Sequence, residues 1–158
     1  SSIFEDFYKK INNKDLDLKN ATLIHGGGWK KLKDIGVSNE SFKKKIKKKF
    51  NINKIFNYYG LIEQTGSIFF ECKNGYFVSS IFSDIVIRDK NFNILPNNRK
   101  GLIQILSILP TSYPGHNIIT EDLGEIKNIK CNCGLNGTHF KIHGRAKEAE
   151  IRGCSDAR

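Results

Sequence analysis

Four short stretches of this chain carry residue types that could do chemistry. Gly26-Gly27-Gly28, between His25 and Trp29, exposes bare backbone whose N–H groups a ligand can approach closely. Trp29 could stack on a ring or pack in a core, and His25 could line a pocket or serve the fold. Tyr59-Gly60-Leu61-Ile62-Glu63 offers an aromatic face for a base, a glycine that admits a close turn, and a carboxylate able to hold Mg²⁺ beside phosphates. Cys131-Asn132-Cys133-Gly134 places two thiols two residues apart, a spacing at which both can bind zinc. Cys72 is a credible third ligand, and His139 or His143 could supply a fourth. The other reading of this pair is a plain turn closed by Gly134. Lastly, Cys154 follows Arg152 and Gly153. A nearby cation favours the thiolate, and a glycine leaves room around the sulfur, so Cys154 is a candidate nucleophile.

The elements that must position these residues follow from apolar spacing. Phe4 to Ile11 reads as a helix, with Ile3, Phe4, Phe7, Tyr8 and Ile11 on one side. Ala21 to Ile24 reads as a short buried strand that breaks at the glycines. Ser38 is a good N-cap for a helix in which Phe42, Ile46 and Phe50 share one face. Lys54 to Tyr58 reads as a second strand, ending at Gly60. In an α/β sheet, ligands gather at the carboxyl ends of strands, where both glycine-marked breaks fall. From Ile68 onward, short β-type runs are expected at 68–72, 76–79, 85–88, 102–109, 125–129 and 140–143, with a hairpin signal at Asn74-Gly75. The expected organisation is an α/β portion over 1–67, a β-rich portion over 68–145 and a charged tail over 146–158.

Composition narrows the function classes. The chain has 158 residues and a formal net charge of +10, with six lysines between Lys43 and Lys49. That lysine run reads as the solvated face of its helix, because few aromatics interleave to make a stacking platform for single strands. Nucleic-acid binding is therefore not favoured. No apolar run approaches the ~20 residues of a membrane helix, and no signal peptide opens the chain, so a cytoplasmic location is the default expectation. The chain is too long and too poor in cysteine for a disulfide scaffold, and reduced thiols are expected. No methionine occurs, and the chain starts directly in an amphipathic segment. A piece of a longer enzyme is the expectation.

Taken in order, three segments resemble the adenylate-forming enzymes: Tyr59-Gly60-x-x-Glu63, Thr120-Glu121-Asp122-Leu123, and Gly144-Arg145 followed by Ile151-Arg152-Gly153. Within that superfamily the chain most resembles the bacterial acyl-protein synthetases, the fatty-acid-activating subunits of the bioluminescence fatty-acid reductase. HGGGWKKL (25–32), YGLIEQTGSIFFEC (59–72), LPTSYPGHNIITEDLG (109–124) and GRAKEAEIRGCSD (144–156) carry the likeness. Phenylacetate–CoA ligases look like more distant relatives.

This resemblance implies the end of an α/β adenylate-forming subdomain followed by a β-rich, distorted barrel-like subdomain. It implies ATP and Mg²⁺ as cofactors, and a carboxylic acid, a long-chain fatty acid by preference, as substrate. Gly26, Gly27 and Gly28 would line the adenine side, Tyr59 and Gly60 would stand near the base, and Glu63 near Mg²⁺. Asp122 would bind the ribose hydroxyls, Arg145 would reach ribose or phosphate, and Cys154 would take up the acyl group as a thioester. Acyl-transferase or reductase proteins would be partners. The sequence departs from the family pattern at Ile62, where a Thr is usual, and at Lys147, where many relatives carry an Asp. The Ser/Thr/Gly-rich phosphate loop and the small domain with its catalytic lysine do not occur in these residues, so the chain alone is expected to be inactive. An acyl- or aryl-CoA ligase of the phenylacetate type is the alternative within the same chemistry. A basic, zinc-stabilised nucleic-acid-binding module is the alternative outside it.

Overall fold

A computed structural model describes residues 9–10, 18–27, 37–111 and 113–147. The expected helix over Phe4–Ile11, Gly28, Trp29 and the tail with Arg152 and Cys154 lie outside the described residues, apart from helical Lys9 and Lys10. The chain divides into two compact units, Ser1–Asn57 with Glu150–Arg158, and Tyr58–Ala149.

In the first unit, β1 (Thr22–Gly26) extends the expected strand to the first glycine. Gly27 then turns the backbone at φ +79°, a conformation that costs glycine nothing and most other residues strain. Helix α1 (Asn39–Phe50) starts where Ser38 accepts a hydrogen bond from the Ser41 N–H, and it stops where Asn51 turns left-handed and donates to the Lys47 carbonyl. Its apolar face is the predicted one: Ile46 and Phe50 are buried with Ile52 and Ile55, and Phe42 packs alongside. Lys47, Lys48 and Lys49 fill the last turn, where cations meet the negative end of the helix dipole.

β2 (Lys54–Gly60) crosses from the first unit into the second. In the second unit, β3 (Ile68–Glu71), β4 (Phe77–Val78), β5 (Ser83–Arg88), β6 (Gly101–Ser107), β7 (Asn117–Ile126) and β8 (His139–Arg145) pair antiparallel in the order β3-β4-β8-β7-β6-β5. The final residues of β2 join this sheet by pairing with β3, Tyr59 opposite Phe69. The Asn74-Gly75 signal makes the β3–β4 turn, with Gly75 at φ +78° and its N–H on the Cys72 carbonyl. The core consists of Phe69, Ile85, Ile87, Ile103, Ile105 and Phe140. These are inward-facing residues of β3, β5, β6 and β8, alternating along β5 and β6, and each fully buried Ile or Phe contributes about 1.5–3 kcal/mol.

One strand differs from expectation. Of the β-run expected at 125–129, only Glu125 and Ile126 are strand, the end of a ten-residue strand that begins at Asn117. Thr120, Glu121 and Asp122 hide it in the sequence, because their polar side chains break the apolar alternation that marks a strand. A register shift between Leu123 and Gly124 also interrupts its pairing with β8. A Cβ on Gly124 would come within 2.7 Å of Ile103 Cδ1 and the Lys141 carbonyl oxygen, so only glycine lets the neighbouring strands close on it.

Candidate active site

Residues far apart in sequence converge where β2 and β8 end beside the middle of β7. Tyr59 sits among Phe69, Phe77 and Phe140, with ring centroids 6.1, 6.3 and 6.5 Å away. Its hydroxyl donates to Asp122 Oδ2 at 2.8 Å. Burial first, and then the charge of Asp122, push the Tyr59 phenol far above its ordinary value, so it remains a proton donor to that carboxylate. The Asp122 backbone N–H donates to Thr120 Oγ1 at 3.1 Å, and the Thr120 hydroxyl donates to the Ile103 carbonyl at 2.9 Å. Asp122 stands opposite Arg145 in the β7–β8 register, with Arg145 Nε 4.0 Å from Asp122 Oδ1. Arg145 also bridges to Glu121. The side chains of Asp122 and Arg145 keep 21% and 35% of their surface open. A carboxylate oriented by a tyrosine and flanked by an arginine can therefore accept hydrogen bonds from the hydroxyls of a polar ligand.

Glu63 lies beyond Gly60 on a single 3₁₀ turn, Ile62–Gln64, and is exposed. Gln64 anchors that turn: fully buried, it donates from Nε2 to the Gly115 carbonyl at 2.8 Å. This links the Tyr59-Gly60-x-x-Glu63 stretch to the Pro114-Gly115 loop. Sequence reasoning assigned Gln64 no role, and no local signal distinguishes a glutamine that will be buried. Gln64 Oε1 and Ser67 Oγ are buried without a hydrogen-bond partner among the described residues. Ile62, at the position where the family usually carries Thr, is largely exposed, and the Thr65 hydroxyl instead donates back to the Ile62 carbonyl at 3.0 Å.

Gly26 and Gly27 belong to the first unit. There the His25 ring packs against Phe42, centroids 4.8 Å apart.

A second cluster forms at the other end of β8. Cys72, Cys131, Cys133 and His139 place one ligand atom each within 4.8 Å of one another. The three thiols are free. Desolvation opposes it, but hydrogen bonds from Asn74 and the neighbouring cysteines hold the Cys131 thiol below its usual range. The Cys133 thiol is pushed up: the Leu135 N–H acts to lower it, but desolvation and the sulfurs of Cys131 and Cys72 outweigh it. The sequence offers both His139 and His143 as a fourth ligand, and the place of His139 six residues after Cys133 is the available clue. His143, the other, pairs with Glu125 at 3.1 Å.

Comparison with known proteins adds to this geometry. A family model described as "Acyl-protein synthetase, LuxE" matches residues 3–158. A long-chain-fatty-acid–luciferin-component ligase from Vibrio harveyi is 28% identical over 142 residues, which are 84% of this chain and 35% of that protein. A 2-hydroxyisobutyryl-CoA ligase in an open conformation, solved with 2-HIB-AMP and CoA, superposes with a TM-score of 0.69 at 17% identity, over 93% of this chain and 33% of the other. Fatty acyl-adenylate ligases studied from E. coli and L. pneumophila give a TM-score of 0.61 at 16% identity, over 87% of this chain and 32% of theirs. The fold is thus that of adenylate-forming enzymes, and the chain spans about a third of the length of these relatives.

Proposed function

The chain belongs to the acyl-protein synthetase family, and on that premise we propose that it forms one side of the nucleotide site, together with the acyl-accepting cysteine, of an ATP-dependent enzyme that activates a long-chain fatty acid. One observation carries the reading. Tyr59, Asp122 and Arg145 come from three separate motifs, yet meet through the Tyr59–Asp122 hydrogen bond and the Asp122–Arg145 register.

In the first half-reaction, the substrate carboxylate oxygen attacks the α-phosphorus of ATP, giving acyl-AMP and pyrophosphate. Bound Mg²⁺ would neutralise phosphate charge, with Glu63 as its protein ligand. Asp122, held by the Tyr59 hydroxyl, accepts the ribose hydroxyls, while Arg145 faces the growing negative charge. Tyr59 and Gly60 would stand near the base. In the second half-reaction, the Cys154 thiolate attacks the acyl carbon and AMP leaves, which makes a thioester. An acyltransferase that supplies the acid and a reductase that consumes the thioester are the partner classes this chemistry calls for. No helix among the described residues is long and apolar enough to cross a membrane. A structural zinc on the thiols of Cys72, Cys131 and Cys133 belongs to the same reading as a stabiliser and takes no part in either half-reaction.

The test is the intact mass of the full-length protein after incubation with ATP, Mg²⁺ and a panel of fatty and aryl acids. The expected result is a hydroxylamine-labile gain equal to one acyl group, absent in Cys154→Ser. Acid-dependent pyrophosphate release that needs coenzyme A, with no mass gain, would move the protein to the CoA ligases. Residues 1–158 alone should show no acid activation, because no phosphate loop occurs among them.

A further inference from the structure

We propose that Cys72, Cys131, Cys133 and His139 form a closed, tetrahedral zinc site that pins the loop between β7 and β8 to the β3–β4 turn. The assignment rests on the zinc reading above and extends it by naming the fourth ligand, the coordination number and the task.

The distances fit. Zinc bound at ~2.3 Å to sulfur and ~2.0 Å to nitrogen sets tetrahedral ligand separations of about 3.5–3.8 Å. Cys72 Sγ and Cys131 Sγ are 4.0 Å apart, and Cys133 Sγ lies 3.3 Å from His139 Nε2. Bonded sulfurs would instead stand ~2.05 Å apart, so these cysteines are not an alternative disulfide. Nor are Cys131 and Cys133 packing residues, since both are only half-buried.

The surroundings are those of a ligand set. His139 Nδ1 lies 2.9 Å from the Gly137 carbonyl, which can only accept. Nδ1 therefore carries the proton, and Nε2 turns its lone pair toward the thiols, the arrangement that orients a metal-bound imidazole. Two donors aim at sulfur: Asn74 Nδ2 at Cys131 Sγ, 3.1 Å, and the Leu135 N–H at Cys133 Sγ, 3.4 Å. Such donors stabilise thiolates, the form that binds zinc.

The backbone is shaped to the same end. Gly134 and Gly137 turn at φ +87° and +138°. A Cβ on Gly137 would fall 2.3 Å from the Ser79 carbonyl oxygen. Ser79 holds this loop at two points, accepting from the Thr138 N–H through Oγ at 2.8 Å and donating its own N–H to the Thr138 carbonyl at 3.0 Å.

On binding, three S–H bonds give way to three S–Zn bonds, and the protons pass to solvent; His139 binds neutral. Four protein ligands leave no position for water or substrate, so the ion is structural. His139 opens β8, and the next residue, Phe140, packs edge-on to Tyr59. The ion thus fixes the start of the strand that ends at Arg145.

Metal analysis and X-ray absorption on the full chain, purified under reductant without chelator and offered zinc, test this directly. About one equivalent of zinc, with three sulfurs and one nitrogen around it, is expected. His139→Ala should weaken binding by about tenfold or more, and His139→Cys should restore it. Cobalt(II) should show the intense visible bands of a tetrahedral thiolate site. Less than a tenth of an equivalent in the unmodified chain would remove the zinc reading altogether. A full equivalent with no nitrogen neighbour, and unchanged affinity in His139→Ala, would leave zinc standing and overturn the four-ligand assignment.

Discussion

Strand β8 carries different chemistry at its two ends, about 20 Å apart by strand rise. At its start, His139 joins three thiols in a knot of tight turns with positive-φ glycines and hydrogen bonds to sulfur. At its end, Arg145 faces Asp122 across an open register, and both side chains keep part of their surface exposed. The first end has enough protein ligands to satisfy a metal ion completely. At the second, one oxygen of Asp122 is committed to Tyr59, while the carboxylate stays accessible to something else. A closed donor set stabilises a fold, whereas a partly open one binds a ligand.

The sharpest way to break this contrast is Asp122→Asn. In the full-length enzyme it should cut acyl-AMP formation by about a hundredfold or more while leaving zinc content unchanged. Pyrophosphate exchange and metal analysis on the same sample read both quantities, and loss of metal along with activity would mean that the two ends are not separate. Tyr59→Phe should have a smaller effect. It deletes one hydrogen bond to a carboxylate and keeps the ring among its phenylalanines, so about 1.5 kcal/mol of stability should be lost in chemical denaturation. ATP KM should rise more than kcat falls, because Asp122 loses its orienting donor. Unchanged ATP KM would reduce Tyr59 to a packing residue.

The smallest effect belongs to Glu125, between the two ends. The hydrogen bond and charge of Lys127, helped by His143, hold its carboxyl below the ordinary value despite the desolvation that opposes them. A carboxyl depressed in the folded state contributes stability that is fully present above its unfolded value of 4.5 and fades as pH falls through the lower folded value. Glu125→Gln should therefore flatten the acid side of the stability curve and slightly lower stability at neutral pH, as thermal melts across the acid range would show.

Much of the fold could be read in advance where local rules act alone. Ser38 caps α1 as its type demands, and Phe42, Ile46 and Phe50 bury the predicted face. Asn74-Gly75 turns the β3–β4 hairpin. The first half of β7 could not be read, because its polar residues break the alternation on which strand recognition depends. Tyr59, Glu63, Asp122 and Arg145 could be singled out by resemblance, but nothing local says that the Tyr59 hydroxyl reaches across 63 positions to Asp122.

By itself, the sequence determined the family, the order of the motifs and the chemical types available: an aspartate, an arginine, a C-x-C thiol pair and a late cysteine. Only the tertiary structure decided which of these meet. It selected His139 over His143 as companion to the thiols, since the latter turns to Glu125. It also turned Gln64 inward to tie the Glu63 turn to Gly115. The reason is that residue type and short spacing act through local backbone sterics, whereas partners 50 or more positions apart are chosen by how strands register and which side chains the core leaves room for.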